Sequence, residues 1–117
     1  MVQLILRLTA SPGHAHELVQ ALHPHVRRAV HTIGCRAAHM AADIGTADVF
    51  WYCEEWDDAS ALEARVRASD FSELLALMET SAEPPLMEFR VINEAKGLDY
   101  VASLRHCTGA APPDAAQ

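Results

Sequence analysis

The residues whose types and spacing can do chemistry cluster in "VFWYCEEW", Val49 to Trp56, and in the Ala-rich run "CRAAHMAA" ahead of it. Read as a strand, the first stretch alternates, with Phe50, Tyr52, Glu54 and Trp56 on one face and Trp51, Cys53 and Glu55 on the other. Tyr and Trp each carry a hydrogen-bond donor on a large apolar body, so Tyr52 and Trp56 can serve either as core packing or as rings that address a polar group. Glu54 shares their face and cannot be buried as a charge without a partner. Arg7 or Arg90, reaching across the sheet, is the expected structural partner. His39, whose small neighbours leave room beside it, is the candidate general base, because an unperturbed imidazole titrates near neutral pH. Its competing reading is a surface or interface histidine. Arg36 and Arg65 can hold an oxyanion or be solvated.

His14, His16, His23 and His25 invite a metal reading, but the spacing opposes it. A helix brings positions i and i+4 together, whereas His-x-His pairs on a helix point apart, and no carboxylate-rich cluster completes a coordination sphere. No metal is expected, and these histidines read as a solvated helix face.

The elements that position these groups follow from periodicity. "VQLILRLT", Val2 to Thr9, alternates as a strand with one apolar face, and Pro12-Gly13 ends it. Ala15, Leu18, Val19, Leu22, Val26, Ala29, Val30 and Ile33 form one helical stripe that stops at Gly34. Pro24 inside that stripe predicts a kink or break between His23 and Val26. "CRAAHMAA" and "DVFWYCEEW" read as an antiparallel hairpin turning through Asp43 to Thr46. Asp57-Asp58 opens a helix with Leu62 and Val66 on its buried side. Ser69-Asp70, with Glu73 three residues after Asp70, opens a second piece carrying Phe71, Leu74, Leu75 and Met78. Pro84-Pro85 precedes a last strand, "LMEFRVI", and an amphipathic segment with Leu98, Val101 and Leu104 follows.

This order is that of a ferredoxin-like α+β subunit with an appended C-terminal helix, one domain over residues 1–106, with a disordered tail from 107 to 117. The strands carry apolar residues on both parities, so the face opposite the helices needs a cover. A second copy of the chain supplies it, which predicts a homodimer with two sheets face to face.

Composition narrows the classes. At 117 residues with 50% hydrophobic and 21% charged residues, the chain can bury a core without staples. A net charge of -7 argues against a nucleic-acid partner. No apolar run approaches the ~20 residues needed to cross a bilayer, and the amino terminus lacks a signal-peptide pattern, so a cytoplasmic protein without a membrane partner is expected. Cys35, Cys53 and Cys107 lack Cys-x-x-Cys spacing, and the first two read as small strand hydrophobes.

With the element order in place, "YCEEWDDASALEARVRASDF" resembles the antibiotic biosynthesis monooxygenase family, through an aromatic strand ending in Glu54-Glu55-Trp56, an acidic turn, and the "ALEA" helix. The likeness extends more loosely from Val2 to Ile92 and includes the "SPG" turn and the "IGC" entry to the second strand. It implies a dimeric α+β barrel, and oxygen insertion into phenols, quinols or anthrones without flavin, haem or metal, so no cofactor is expected. By that resemblance the Trp56 face is the pocket face. Trp56 becomes a stacking wall, Tyr52 a donor or proton relay and His39 the base, with Phe50, Arg36, Arg65 and Phe71 binding the substrate. Two positions depart from the family pattern, because many relatives carry histidine where this chain has Arg65 and Asp70. The Asn and His that mark haem-degrading relatives are also missing.

The expected function is a cofactor-independent monooxygenase acting on a small aromatic, quinol or polyketide-like substrate in an apolar pocket between sheet and helices. The alternative is a non-catalytic small-molecule-binding protein of the same fold, which the Arg65 and Asp70 departures motivate, or an isomerase using the same base without oxygen.

Overall fold

Alternation of Val2, Leu4, Leu6 and Leu8 produces β1 (Val2–Thr9), whose even-numbered side chains all enter the core. The computed structural model describes residues 1–107, so beyond Cys107 the tail expected to be disordered lies outside the described residues. After β1 come α1 (Ala15–Val30), β2 (Cys35–Ala42), β3 (Val49–Trp56), α2 (Ala59–Arg67), α3 (Phe71–Glu79), β4 (Leu86–Val91) and α4 (Leu98–Cys107). The four strands form one antiparallel sheet in the order β2-β3-β1-β4, the ferredoxin-like arrangement that the element order predicts.

Register decides which side chains meet. Leu4 lies opposite Glu54, Leu6 opposite Tyr52 and Leu8 opposite Phe50, so the helix-covered face joins the leucines of β1 to the even-numbered residues of β3. Leu22 of α1, Leu62 of α2, and Phe71 and Leu74 of α3 close over that layer. Gln3, Ile5 and Arg7 with Trp51, Cys53 and Glu55 occupy the other face. Cys35 and Cys53 are free thiols, both half-buried in strands. Burial raises the pKa of each above the ordinary cysteine value, reinforced at Cys35 by Glu54 and at Cys53 by Glu55.

Four local expectations are corrected. Helix α1 runs unbroken through Pro24. Pro24 and Gln20, whose carbonyl loses its donor, are both exposed, so water can satisfy the freed carbonyl. The helix also ends at Val30, leaving Ile33 exposed beside the tight turn at Gly34, where φ is +91°. On α2 the buried positions are Leu62 and Arg65, while Val66 stays 39% exposed. A charged residue takes the slot expected for an apolar one because an acid waits beneath it. The Asp70/Glu73 start of α3 forms no side-chain cap, since both carboxylates turn to arginines instead. The break between α2 and α3 is present, and Asp58 caps α2 by accepting a hydrogen bond from the Ala61 N–H at 2.9 Å.

Candidate functional site

The centre of the site is Glu54. Its side chain is fully buried on the helix-covered face, between Tyr52 and Trp56 two residues to either side. Alternation along β3 makes that juxtaposition unavoidable, since residues i, i+2 and i+4 share one face. The Tyr52 hydroxyl donates to Glu54 Oε2, and the Trp56 indole N–H donates to Oε1 at 3.0 Å. Arg65 completes the shell, donating Nε to both carboxylate oxygens at 3.2 Å and Nη2 to Oε2 at 3.0 Å. The result is a forked arginine–carboxylate pair with two neutral donors on the same acid.

The expected partners Arg7 and Arg90 play no part in this. Arg7 pairs in register with Trp51 and Arg90 with Gln3, so both point to the opposite face of the sheet. Arg7 lies over the Trp51 ring at 5.9 Å, and Arg90 binds Glu88 at 2.8 Å. The partner had to come from the helix layer, and α2 delivers it by turning back over the strand that precedes it.

The network continues to the surface. Arg65 Nη1 donates to Asp70 Oδ1 at 3.2 Å, and its guanidinium lies 5.3 Å from the centre of the Phe71 ring. Arg28 of α1 meets the other Asp70 oxygen at 3.3 Å and Glu73 at 3.3 Å, and donates to Nδ1 of buried His25 at 3.2 Å. Two arginines and three carboxylates thus run from the middle of the core to an open groove of about 550 Å³, lined by His23, Pro24, Arg27, Arg28, His31, Thr32 and Asp70.

Electrostatics follow from this packing. Burial, then the adjacent Glu54 carboxylate, pushes the Tyr52 phenol far above the ordinary tyrosine value, so Tyr52 remains a proton donor. For Arg65, burial opposes the charged form, but hydrogen bonding and charge attraction from Glu54 overcome it and raise its pKa. Burial lowers the pKa of His25, as do Arg28 and Arg65, and a neutral His25 can accept from Arg28.

Of the residues singled out from sequence, Tyr52, Trp56, Arg65 and Phe71 come together around Glu54. Phe50 lines the same face farther along β3, opposite Leu8. His39 does not join them. It is exposed on β2, pairs in register with Cys53, and borders a groove of about 260 Å³ that Gln3, Ile5, Ala41, Trp51, Tyr52, Cys53 and Glu55 also line. Arg36 is exposed at the β2 irregularity and donates to Asp57 at 2.9 Å. Sequence reasoning missed Arg28 and the bridging role of Asp70, which depend on how α1 crosses the α2–α3 junction. The Glu54–Arg65 pair had one usable signal, an arginine three residues after Leu62 on the inward side of α2.

The histidines set aside as metal ligands are dispersed. His14 binds Glu17 at 2.8 Å and His25 is buried against Arg28. Among the described residues no group of three His, Cys, Asp or Glu side chains is placed to hold a metal ion. None of the helices described is long and apolar enough to cross a membrane.

The fold recurs among solved structures. A Deinococcus radiodurans protein described as an antibiotic biosynthesis monooxygenase superimposes with a TM-score of 0.76 at 20% identity, over 84% of this chain and 98% of that one. A Pseudomonas aeruginosa protein reaches 0.64 at 26% identity, over 78% and 94%. A mutant form of SnoaB, a cofactor-independent oxygenase from Streptomyces nogalater, reaches 0.68 at 14% identity, over 80% and 94%. No curated protein matches the chain by sequence. The sequence model that describes antibiotic biosynthesis monooxygenases matches residues 1–77, which takes in β1 through most of α3 and every member of the Glu54 network. The chain therefore belongs to the antibiotic biosynthesis monooxygenase family.

Proposed function

We propose that this protein is a cofactor-independent monooxygenase for a small electron-rich aromatic, quinol or polyketide-like substrate, and that its chemistry centres on Tyr52, Glu54, Trp56 and Arg65. It acts as one domain over residues 1–106, in the cytoplasm, as a homodimer joined through the sheet faces that the helices leave open. The observation that carries the reading is a fully buried carboxylate with a phenol, an indole and a guanidinium gathered on it inside an apolar core. Hydrophobic residues of similar volume would hold such a core at least as well. Functional sites are where buried, strongly perturbed groups concentrate.

Each group has a task. Glu54 is the proton acceptor that turns a phenol or activated methylene into its anion. Arg65 and the Trp56 N–H stabilise that anion in a site that excludes water. Tyr52, held protonated, donates to oxygen. The carbanion reduces O₂, one oxygen atom bonds to the substrate carbon and the other leaves as water with the two hydrogens the carbon loses. A methylene thereby becomes a carbonyl. Entry is from the α1 groove, where the Arg28–Asp70 contact closes over Arg65. In this reading His39 belongs to the open sheet face rather than to the reacting centre.

A non-catalytic binding protein is the second reading, favoured by the complete burial of Tyr52 and Trp56 and by the saturation of Glu54 with donors. Oxygen uptake by metal-stripped protein over a panel of quinols and anthrones separates the two. A saturable rate above autoxidation, reduced at least tenfold in Trp56→Phe and unchanged in His39→Ala, supports the enzyme. Trp56-dependent ligand binding without uptake supports the binding protein, and a rate that needs His39 but not Trp56 overturns the assignment of the site.

A further inference from the structure

Helix α4 carries an apolar stripe and has the exposure of a free helix. Every residue from Leu98 to His106 is exposed, although Leu98, Val101 and Leu104 recur on one side with Tyr100 beside them. The radius of gyration is 18.3 Å, well above the ~13 Å of a compact chain this long. Residues 92–97 carry the helix away from the body.

The body has an uncovered strip of its own. Phe89 and Val91 pair in register with Leu4 and Val2, which puts them on the helix side of the sheet, yet they are 48% and 74% exposed because α1, α2 and α3 do not reach over that end of β4. A groove lined by Leu75, Met78, Glu79, Glu83, Pro84 and Pro85 lies on the approach to the start of β4. Ten helical residues span ~15 Å, and six strand residues span ~20 Å, so one α4 fits along one β4. Charge agrees with size. The last turn of α4 carries Arg105 and His106, and the groove carries Glu79 and Glu83.

We propose that α4 is an exchange arm, laying its Leu98–Val101–Leu104 stripe on the Phe89–Val91 strip of a second copy of this chain, which returns its own α4. Each chain owns one projecting arm and one uncovered strip, so a twofold exchange satisfies both and leaves neither for a third copy. The arm lies outside the Glu54 network and outside the open sheet face, and it does not depend on the proposed chemistry.

Disulfide trapping in the full-length chain tests this. With Cys35, Cys53 and Cys107 changed to Ala, a Val91→Cys chain mixed with a Val101→Cys chain is expected to give a covalent two-chain species on mild oxidation. The chain carrying both cysteines is expected to do the same. Closure within one chain at monomer mass, or no closure in either experiment, overturns the proposal. As a second readout, sedimentation of Leu98→Ser/Val101→Ser/Leu104→Ser is expected to show a dimer weakened at least tenfold with unchanged circular dichroism. An unchanged dimer overturns the arm and leaves a sheet-to-sheet dimer standing, and a monomeric wild-type chain overturns both.

Discussion

Glu54 and Arg65, eleven residues apart in the chain, form a forked ion pair in which the carboxylate is fully buried and the guanidinium 3% exposed. The pair is costly to assemble in an apolar layer and costly to break, because removing one member strands the other without water. The same arginine holds Phe71 beneath it and Asp70 beyond it, so it fixes the junction of α2 and α3 to the sheet.

Removing one charge is therefore expected to cost more than removing both. Arg65→Met should destabilise the fold by ~3–5 kcal/mol, and Glu54→Gln/Arg65→Met, which removes both charges and keeps an acceptor for Tyr52 and Trp56, should recover part of that loss. Urea unfolding of the two variants and the wild type gives the comparison. A double variant no more stable than Arg65→Met would mean that the pair is not the dominant interaction of either side chain.

Stability should fall in mild acid through His25. The groups around it are Arg28 and Arg65, which together with burial lower its pKa, and Glu73 and Asp70, which oppose the shift. A histidine whose folded value lies below its unfolded one contributes fully above ~6.5 and loses that contribution as the pH falls through the folded value. Thermal unfolding between pH 7.5 and 5 should show a decline that His25→Asn reduces. Equal slopes in both proteins would assign the decline to other groups.

Gly34 is expected to tolerate no side chain. Its φ is +91°, and an added Cβ would stand 2.7 Å from Ala61 Cβ and 4.0 Å from the Trp56 ring. Backbone strain alone is worth ~1–2 kcal/mol, and the contact would push α2 off Trp56. Gly34→Ala should lower stability by at least that much and change the near-ultraviolet circular dichroism of the tryptophans. Gly13→Ala, where φ is +83° but no atom lies within 4 Å, should show the strain without the spectral change.

Much of this architecture was legible because period-two and period-3.6 patterns depend only on local geometry. β1 reads out in full, and "VFWYCEEW" sorts its side chains onto the faces they occupy. What failed to read involved two elements at once. Glu54 announces that it needs a cation, but Arg7, Arg65 and Arg90 are all within reach of a chain that has not yet been folded. Register, which turns Arg7 and Arg90 to the other face, excludes two of them. Val66 was expected inside on apolarity alone, and the demand of Glu54 outweighs it. His39 shows the same limit, since its strand was correct and its face depended on pairing with Cys53.

The sheet order sets a schedule at the ribosome. β1 emerges before both of its neighbours and sits between β3 and β4, which end at Trp56 and Val91. At ~5–20 residues per second, one edge of β1 waits several seconds for its last partner strand. Met1 is finally tied down by the hydrogen bond that the Ile92 N–H donates to its carbonyl. A nascent chain of this family member thus carries β1 with one unpaired backbone edge until β4 is made, an edge open to pairing with any other strand in the meantime.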